Sequence, residues 1–411
     1  MTTDALATAG LLHAGLVDLL IARGVIRPGR VEAALRAVPR HPFLPGVPLE
    51  TAYAPDDAVV TKRDSTGTAL SSASAPGVVA SMLEQLGVQP GDRILEIGAG
   101  TGYNAALLAE LTGPGGDVVT IDIDQDVASR ASMALAAAGC RQAEVLHADG
   151  ADGHAPGGPY DKIIVTAGAW DLPPAWWQQL APAGRLVVPL RITGGTTRSI
   201  AFCRPGDDTG GRHLASQSMA TCGFLAMRGV GARPEPAIEL ADGVSLLPGD
   251  APASPAAALA DALSQPAARA WSGTMIQSGQ PFQNLDLWLA TTTPGFCRII
   301  ASQEAVDTGL ATPAFRWGGA AVTSGTGSFA YLIIRPAEPA ESVGDRPTFE
   351  IGTCAHGPAR DDLTAALLDQ VSRWAKEHRD TTPRIDAYLK PTQATATIAI
   401  DKPHTILTVT W

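Results

Sequence analysis

Between Arg93 and Leu190, short apolar runs alternate with segments of helical period, and this rhythm leaves very few folds open. "RILEIG", "DVVTIDI", "AEVLHA", "YDKIIVTAG" and "GRLVVPL" read as strands, while "GYNAALLAEL", "DVASRASMALAAAG" and "PAWWQQL" read as helices. Parallel strands need a long crossover between them, and the helix supplies it while covering one face of the sheet. The predicted core is an open, doubly wound, Rossmann-like α/β sheet. It reaches about residue 228 if "RSIAFCRP" and "ATCGFLAMRG" add edge strands. Residues 5–22, 30–37 and 76–86 show helical patterns; the prolines of "VPRHPFLP" stop the second, and the stretch from there to Ser74 reads as irregular.

Beyond the sheet, "GARPEPAIELADGVSLLPGDAPASPAAALA" is rich in proline and small residues without a clear period. The expected division is thus 1–228 as the first domain, 229–260 as linker and 261–411 as an α+β accessory domain. The accessory domain is predicted to hold strands at "LDLWLATT", "FAYLIIRP", "ATATIAI" and "TILTVTW" and a helix at "DDLTAALLDQVSRWAKEHRD". A chain of 411 residues suits two such units.

A formal charge of -11 sets the chain against nucleic acid and anionic membranes. The five cysteines, Cys140, Cys203, Cys222, Cys297 and Cys354, are odd in number and far apart, with no C-x-x-C pair. This suits a reducing cytoplasm and implies no metal. Asp4, His13 and Asp18 interrupt the apolar N-terminus, which reads as an amphipathic helix rather than a signal peptide. No run of roughly 18 uncharged apolar residues marks a membrane span.

"LEIGAGTGY" follows a strand and opens a helix, where backbone N–H groups converge and glycine allows a ligand close approach. A dinucleotide fingerprint wants G-x-G-x-x-G, but the glycines here are Gly98, Gly100 and Gly102, and Tyr103 stands where the third would be. Glu96 at the strand tip would repel a pyrophosphate and attract the cationic ammonium and sulfonium region of S-adenosylmethionine. Asp122 closes the second strand, where an acid can accept from both ribose hydroxyls. Asp149 and Gly150 close the third strand, placed for an adenine amino group. Each acid alone could be a helix cap; three in register favour a methyl-donor site. Ala99, Ile123 and Thr166 complete the candidate cofactor residues.

In order and spacing, "VPRHPFLP", "SASAPGVVASMLEQL", "PGDRILEIGAGTGYNAALLAEL", "VVTIDID", "ADG" and "PYDKIIVTAGAWDLPPAWWQQLAPAGRLVVPL" resemble the protein-L-isoaspartate O-methyltransferases over about residues 1–228. The resemblance implies a seven-stranded methyltransferase domain, S-adenosylmethionine as donor and a peptide carboxylate as acceptor. It also implies that Ser74 of "SASAP" lies beside the reacting carboxylate as the catalytic residue, orienting it by a hydrogen bond, with Ser72 nearby. The alternative for Ser71, Ser72 and Ser74 is capping of the next helix. Lys62 and Arg63 are candidates to pair with substrate carboxylates or to lie on a solvated loop, and His41, Asp56 and Asp57 to shape the same mouth.

Two features depart from the repair enzymes: "AYAPDDAVVTKRDSTGTALSS" replaces a Leu-Pro-Ile-Gly-like stretch, and about 180 residues follow the first domain. Both resemble the homologues associated with lanthipeptide FxLD and ATP-grasp (graspetide) peptide maturation. The expected function is therefore esterification of an aspartate in a ribosomally made precursor peptide. The next backbone nitrogen then displaces methanol to close a succinimide (aspartimide), leading to isoaspartate. The partners are the precursor peptide and peptide-maturation enzymes. Repair of isoaspartates in general proteins is one alternative; a non-catalytic methyltransferase-like binding or regulatory protein is another.

Overall fold

The computed structural model describes residues 3–206, 210–233, 236–249, 255–278, 283–315, 318–337, 346–392, 394 and 396–411. Its larger sheet has ten strands, in the order Ile398–Asp401, Thr405–Thr410, Arg384–Leu389, His213–Thr221, Thr197–Cys203, Leu180–Arg191, Tyr160–Val165, Arg93–Ile97, Asp117–Asp122 and Ala143–His147. The last five pair in parallel and the others antiparallel. Seven of the ten come from the first 221 residues and make the doubly wound sheet predicted from the alternation. Its strands are apolar on both faces because both are covered: Ile94, Val118 and Val187 join one core cluster, while Leu95, Val119 and Leu186 join the other.

The remaining three strands revise the domain boundary. The strands Arg384–Leu389, Ile398–Asp401 and Thr405–Thr410 leave the accessory region and extend the first sheet, with Asp386 opposite Ala215. The join is buried, Ile385, Leu407 and Val409 being in the same cluster as Leu186. The proposed linker also carries strands, Ile238–Ala241 and Val244–Leu247, and the start of the helix Ala256–Leu263; within it, residues 234–235 and 250–254 lie outside the described residues. "LDLWLATT" is helical, Gln283–Thr292, since Leu285, Trp288 and Leu289 recur at helical spacing and are buried together. "ATCGFLAMRG" holds only the last two residues of the strand His213–Thr221 and then runs irregularly, with one bridge from Ala226 to Gly168.

The second sheet has seven antiparallel strands, ordered Ile238–Ala241, Val244–Leu247, Phe296–Ala301, Gly319–Ser324, Ser328–Pro336, Thr348–His356 and Ala268–Gln277. Leu259 and Leu263 of one helix pack on one face; Trp288, Leu367 and Trp374 from the helices Gln283–Thr292 and Arg360–Glu377 pack on the other. Trp411, after the last strand of the first sheet, stands edge-on to Trp288 at 5.3 Å between ring centres. Asp4–Ala22 is the one helix among the described residues long and apolar enough to cross a membrane; its Leu16, Val17 and Leu20 are buried in the core beside the first sheet.

The stretch read as irregular before Ser74 contains a hairpin, Val59–Arg63 paired with Ala69–Ala73. It lies at the strand tips of the large sheet, where Ser72 O would be 3.7 Å from a Cβ added at Gly100.

Candidate active site

The strand Arg93–Ile97 feeds directly into Gly98–Gly102, and the helix Tyr103–Thr112 follows. Gly98 has φ +106°, and a Cβ there would fall 2.4 Å from Thr166 Oγ1, so conformation and space both demand glycine. Thr166 Oγ1 donates to Gly98 O at 2.7 Å. The Gly98 and Ala99 N–H groups donate to Ile121 O at 2.7 and 3.0 Å, which ties the loop to the neighbouring strand end.

Asp122, at that strand end, accepts from Gly100 N at 3.1 Å through one oxygen and from Asp124 N at 3.0 Å through the other. Each oxygen keeps a lone pair for a further donor. Burial pushes the Asp122 pKa upward, more than these backbone hydrogen bonds pull it down. Glu96 is 0% exposed. Its two oxygens accept from Asn104 Nδ2 at 2.8 Å and Thr120 Oγ1 at 2.6 Å, and burial raises its pKa to about 7. Near neutrality Glu96 is therefore a partly protonated carboxyl, hydrogen-bonded within the protein, rather than the free anion read from the sequence.

The opposite wall is the strand Ala69–Ala73 and its continuation to Ser74. Ala75 occupies the N-cap of the helix Pro76–Leu86 and no side chain caps that helix, so the serines are not used for capping. Ser71, Ser72 and Ser74 line one cavity together with Gly98, Ala99, Gly100, Asp122 and Ile123. Glu96, Tyr103, Gly150 and Thr166 also line it.

Four candidates lie elsewhere. Gly102 is the N-cap of the following helix, and its space is filled by Ala131 and Leu135. Asp149 accepts from Ala151 N at 2.9 Å and Val230 N at 2.8 Å, so its carboxylate anchors backbone. Gly229 has no room for a side chain there: an added Cβ would be 2.1 Å from Asp149 Oδ2. Lys62 Nζ pairs with Asp124 at 2.7 Å and Asp126 at 3.1 Å, and Arg63 donates to Gly67 O within its own hairpin. Both cations are engaged by the protein itself. The Lys62 hydrogen bond lowers the Asp124 pKa, and Arg228 approaches the same carboxylate at 3.7 Å. His41 meets Tyr53 Oη at 2.8 Å and Asp56 pairs with Arg23, so neither these nor Asp57 lines the cavity.

Sequence reasoning missed Arg40, Asn104 and the segment Phe224–Arg228, all of which line the cavity. Asn104 sat two residues beyond the glycine loop, a legible position had a partner for Glu96 been sought. Arg40 sits inside "VPRHPFLP", which was read only for its prolines and its family likeness, and 224–228 belong to no local chemical pattern.

A parallel sheet with a glycine loop after one strand and an acid after the next, facing a second wall across one cavity, defines the S-adenosylmethionine-dependent methyltransferase class. The family model for Protein-L-isoaspartate(D-aspartate) O-methyltransferase matches residues 12–209. A protein-L-isoaspartate O-methyltransferase of Methanopyrus kandleri is 42% identical over 176 residues, 43% of this chain and 75% of that protein. Protein-L-isoaspartate O-methyltransferase 1 of Rhodopseudomonas palustris is 38% identical over 208 residues, 51% of this chain and 80% of that protein. A solved protein-L-isoaspartate O-methyltransferase, 20% identical with a TM-score of 0.50, covers 91% of this chain and 96% of its own, so its fold likeness runs well into the second sheet. The chain belongs to the protein-L-isoaspartate O-methyltransferase family, whose members are carboxyl methyltransferases with S-adenosylmethionine as donor.

Proposed function

We propose that this chain transfers a methyl group from S-adenosylmethionine to the free carboxylate of an L-isoaspartyl residue in a protein or peptide. The observation that carries the reading is a cavity shared by a glycine-loop wall and a serine wall, in a member of this family. The open lone pairs of Asp122 suit the donor's ribose hydroxyls, with Gly150, Ile123 and Thr166 lining the same cavity. When bound, the donor supplies an electrophilic methyl group.

An acceptor carboxylate is about three units above its pKa at pH 7, so it arrives ionised and needs no base. Alignment is what the protein must contribute, worth roughly 7 kcal/mol or more in favourable cases. The Ser74 hydroxyl is assigned to orienting the acceptor oxygen. We assign the activity to the cytoplasm.

A second reading is methylation of a chosen aspartate in a ribosomally made precursor peptide, giving aspartimide and then isoaspartate, alongside peptide-maturation enzymes. What supports it is the altered stretch before Ser74, which builds the acceptor wall as a hairpin. Chain length adds no support, because the alignment with a solved protein-L-isoaspartate O-methyltransferase already covers 91% of this chain. Mass analysis after incubation with donor and two peptides, identical except for isoaspartate or aspartate at one position, tests both readings. Methylation of the isoaspartyl peptide alone supports repair-type activity. Methylation or water loss on the aspartyl peptide supports the second reading, and neither change overturns both.

A further inference from the structure

We propose that Arg40 binds the acceptor's carboxylate, an inference that deepens the function proposed above and rests on it. Arg40 lies just past the helix Arg30–Ala37, in the turn that leads to His41–Phe43. Its side chain runs inward over the Tyr103 ring, 5.1 Å from the ring centre, and the residue is 1% exposed.

Nη2 donates to Ser74 O at 2.7 Å, while Nε is buried without a partner. Among the described residues no carboxylate forms an ion pair with Arg40. The nearby acids are engaged otherwise: Glu96 by Asn104 and Thr120, and Asp122 by two backbone N–H groups. Its aromatic neighbours Tyr103 and Tyr53 are neutral phenols, whose pKa values burial pushes up.

A guanidinium taken out of water without a counter-charge is strongly disfavoured, and an arriving anion relieves that penalty. The fork of N–H donors also matches a carboxylate in shape. Arg40 lines the same cavity as Ser72 and Ser74. Two carboxylates could enter it, the acceptor's and the one on the donor's amino-acid end. The hydrogen bond to Ser74 joins Arg40 to the serine wall and selects the acceptor.

Because the acceptor's charge disappears as its ester forms, pairing with Arg40 favours the bound ground state at least as much as the transition state. Its loss should therefore appear in KM more than in kcat. For Arg40→Gln, KM for an isoaspartyl peptide is expected to rise roughly 10- to 100-fold, with S-adenosylhomocysteine affinity within about twofold of wild type. Arg40→Lys keeps the charge but loses the fork, so its KM rises less, by roughly threefold to tenfold.

Unchanged KM in a folded Arg40→Gln overturns the proposal. So does weakened S-adenosylhomocysteine binding with peptide KM unchanged, which would assign Arg40 to the donor. If Arg40→Gln does not fold, Arg40→Lys decides: raised KM with normal S-adenosylhomocysteine binding supports the proposal, and wild-type KM overturns it. Failure of the functional reading shows separately, as a wild-type protein that methylates no isoaspartyl peptide.

Discussion

The two walls of the cavity are built in opposite ways. The glycine-loop wall comes from consecutive strand ends of one sheet, and backbone groups do most of its work: Gly98 and Ala99 N–H on Ile121, Gly100 N–H on Asp122. The serine wall gathers Arg40 and a hairpin, which are distant from each other and from the glycine loop in the chain, and the segment Phe224–Arg228 lines the same cavity from farther still. A wall made of backbone tolerates few substitutions, because the conformation itself is the site. A wall made of side chains on separate segments can change its acceptor while the sheet stays fixed.

The largest contrast should come from Gly98→Val. Positive φ and a Cβ 2.4 Å from Thr166 Oγ1 leave no relaxed conformation, so titration with S-adenosylhomocysteine should show at least roughly 100-fold weaker binding. Near-normal binding would mean that the loop is softer than its hydrogen bonds indicate.

Glu96 tests the same wall through pH. Its pKa is raised from 4.5 to about 7, so between these values the unfolded chain releases a proton that the folded one keeps. Stability contributed by this group is therefore unaffected below about pH 4.5, falls as pH rises to about 7 and is flat above it. Urea unfolding of Glu96→Gln should show this fall removed, with an advantage over wild type growing to the order of 3 kcal/mol by pH 8. Parallel pH profiles for the two proteins would contradict the assignment.

Lys62→Ala should have a smaller effect on the serine wall. Its pairs with Asp124 and Asp126 brace the hairpin against the start of the helix Gln125–Ala137. Peptide KM should move by no more than about threefold, and the difference should shrink at high salt. A tenfold rise that persists in salt would return Lys62 to direct substrate contact.

The same contrast explains what could be read beforehand. The doubly wound sheet and most cavity residues of the glycine loop were legible, because alternation and glycine spacing are local signals. Asp149 was misread because a strand-end acid in register looks the same whether it faces a ligand or ties down backbone such as Val230. Lys62 was misread because Asp124 lies 62 residues away in sequence. The return of the last three strands to the first sheet was hidden for the same reason: an edge strand pattern names no partner. "LDLWLATT" failed differently, since a short apolar run fits a buried helix as well as a strand.

The division of labour between the walls is tested most directly by measuring two affinities on two variants, Asp122→Ala and Ser74→Ala. Asp122→Ala should weaken S-adenosylhomocysteine roughly tenfold or more. Ser74→Ala should leave that affinity unchanged and lower kcat/KM for an isoaspartyl peptide by roughly tenfold. Equal weakening of S-adenosylhomocysteine by both variants, or none by Asp122→Ala, would contradict a cavity with separate donor and acceptor walls.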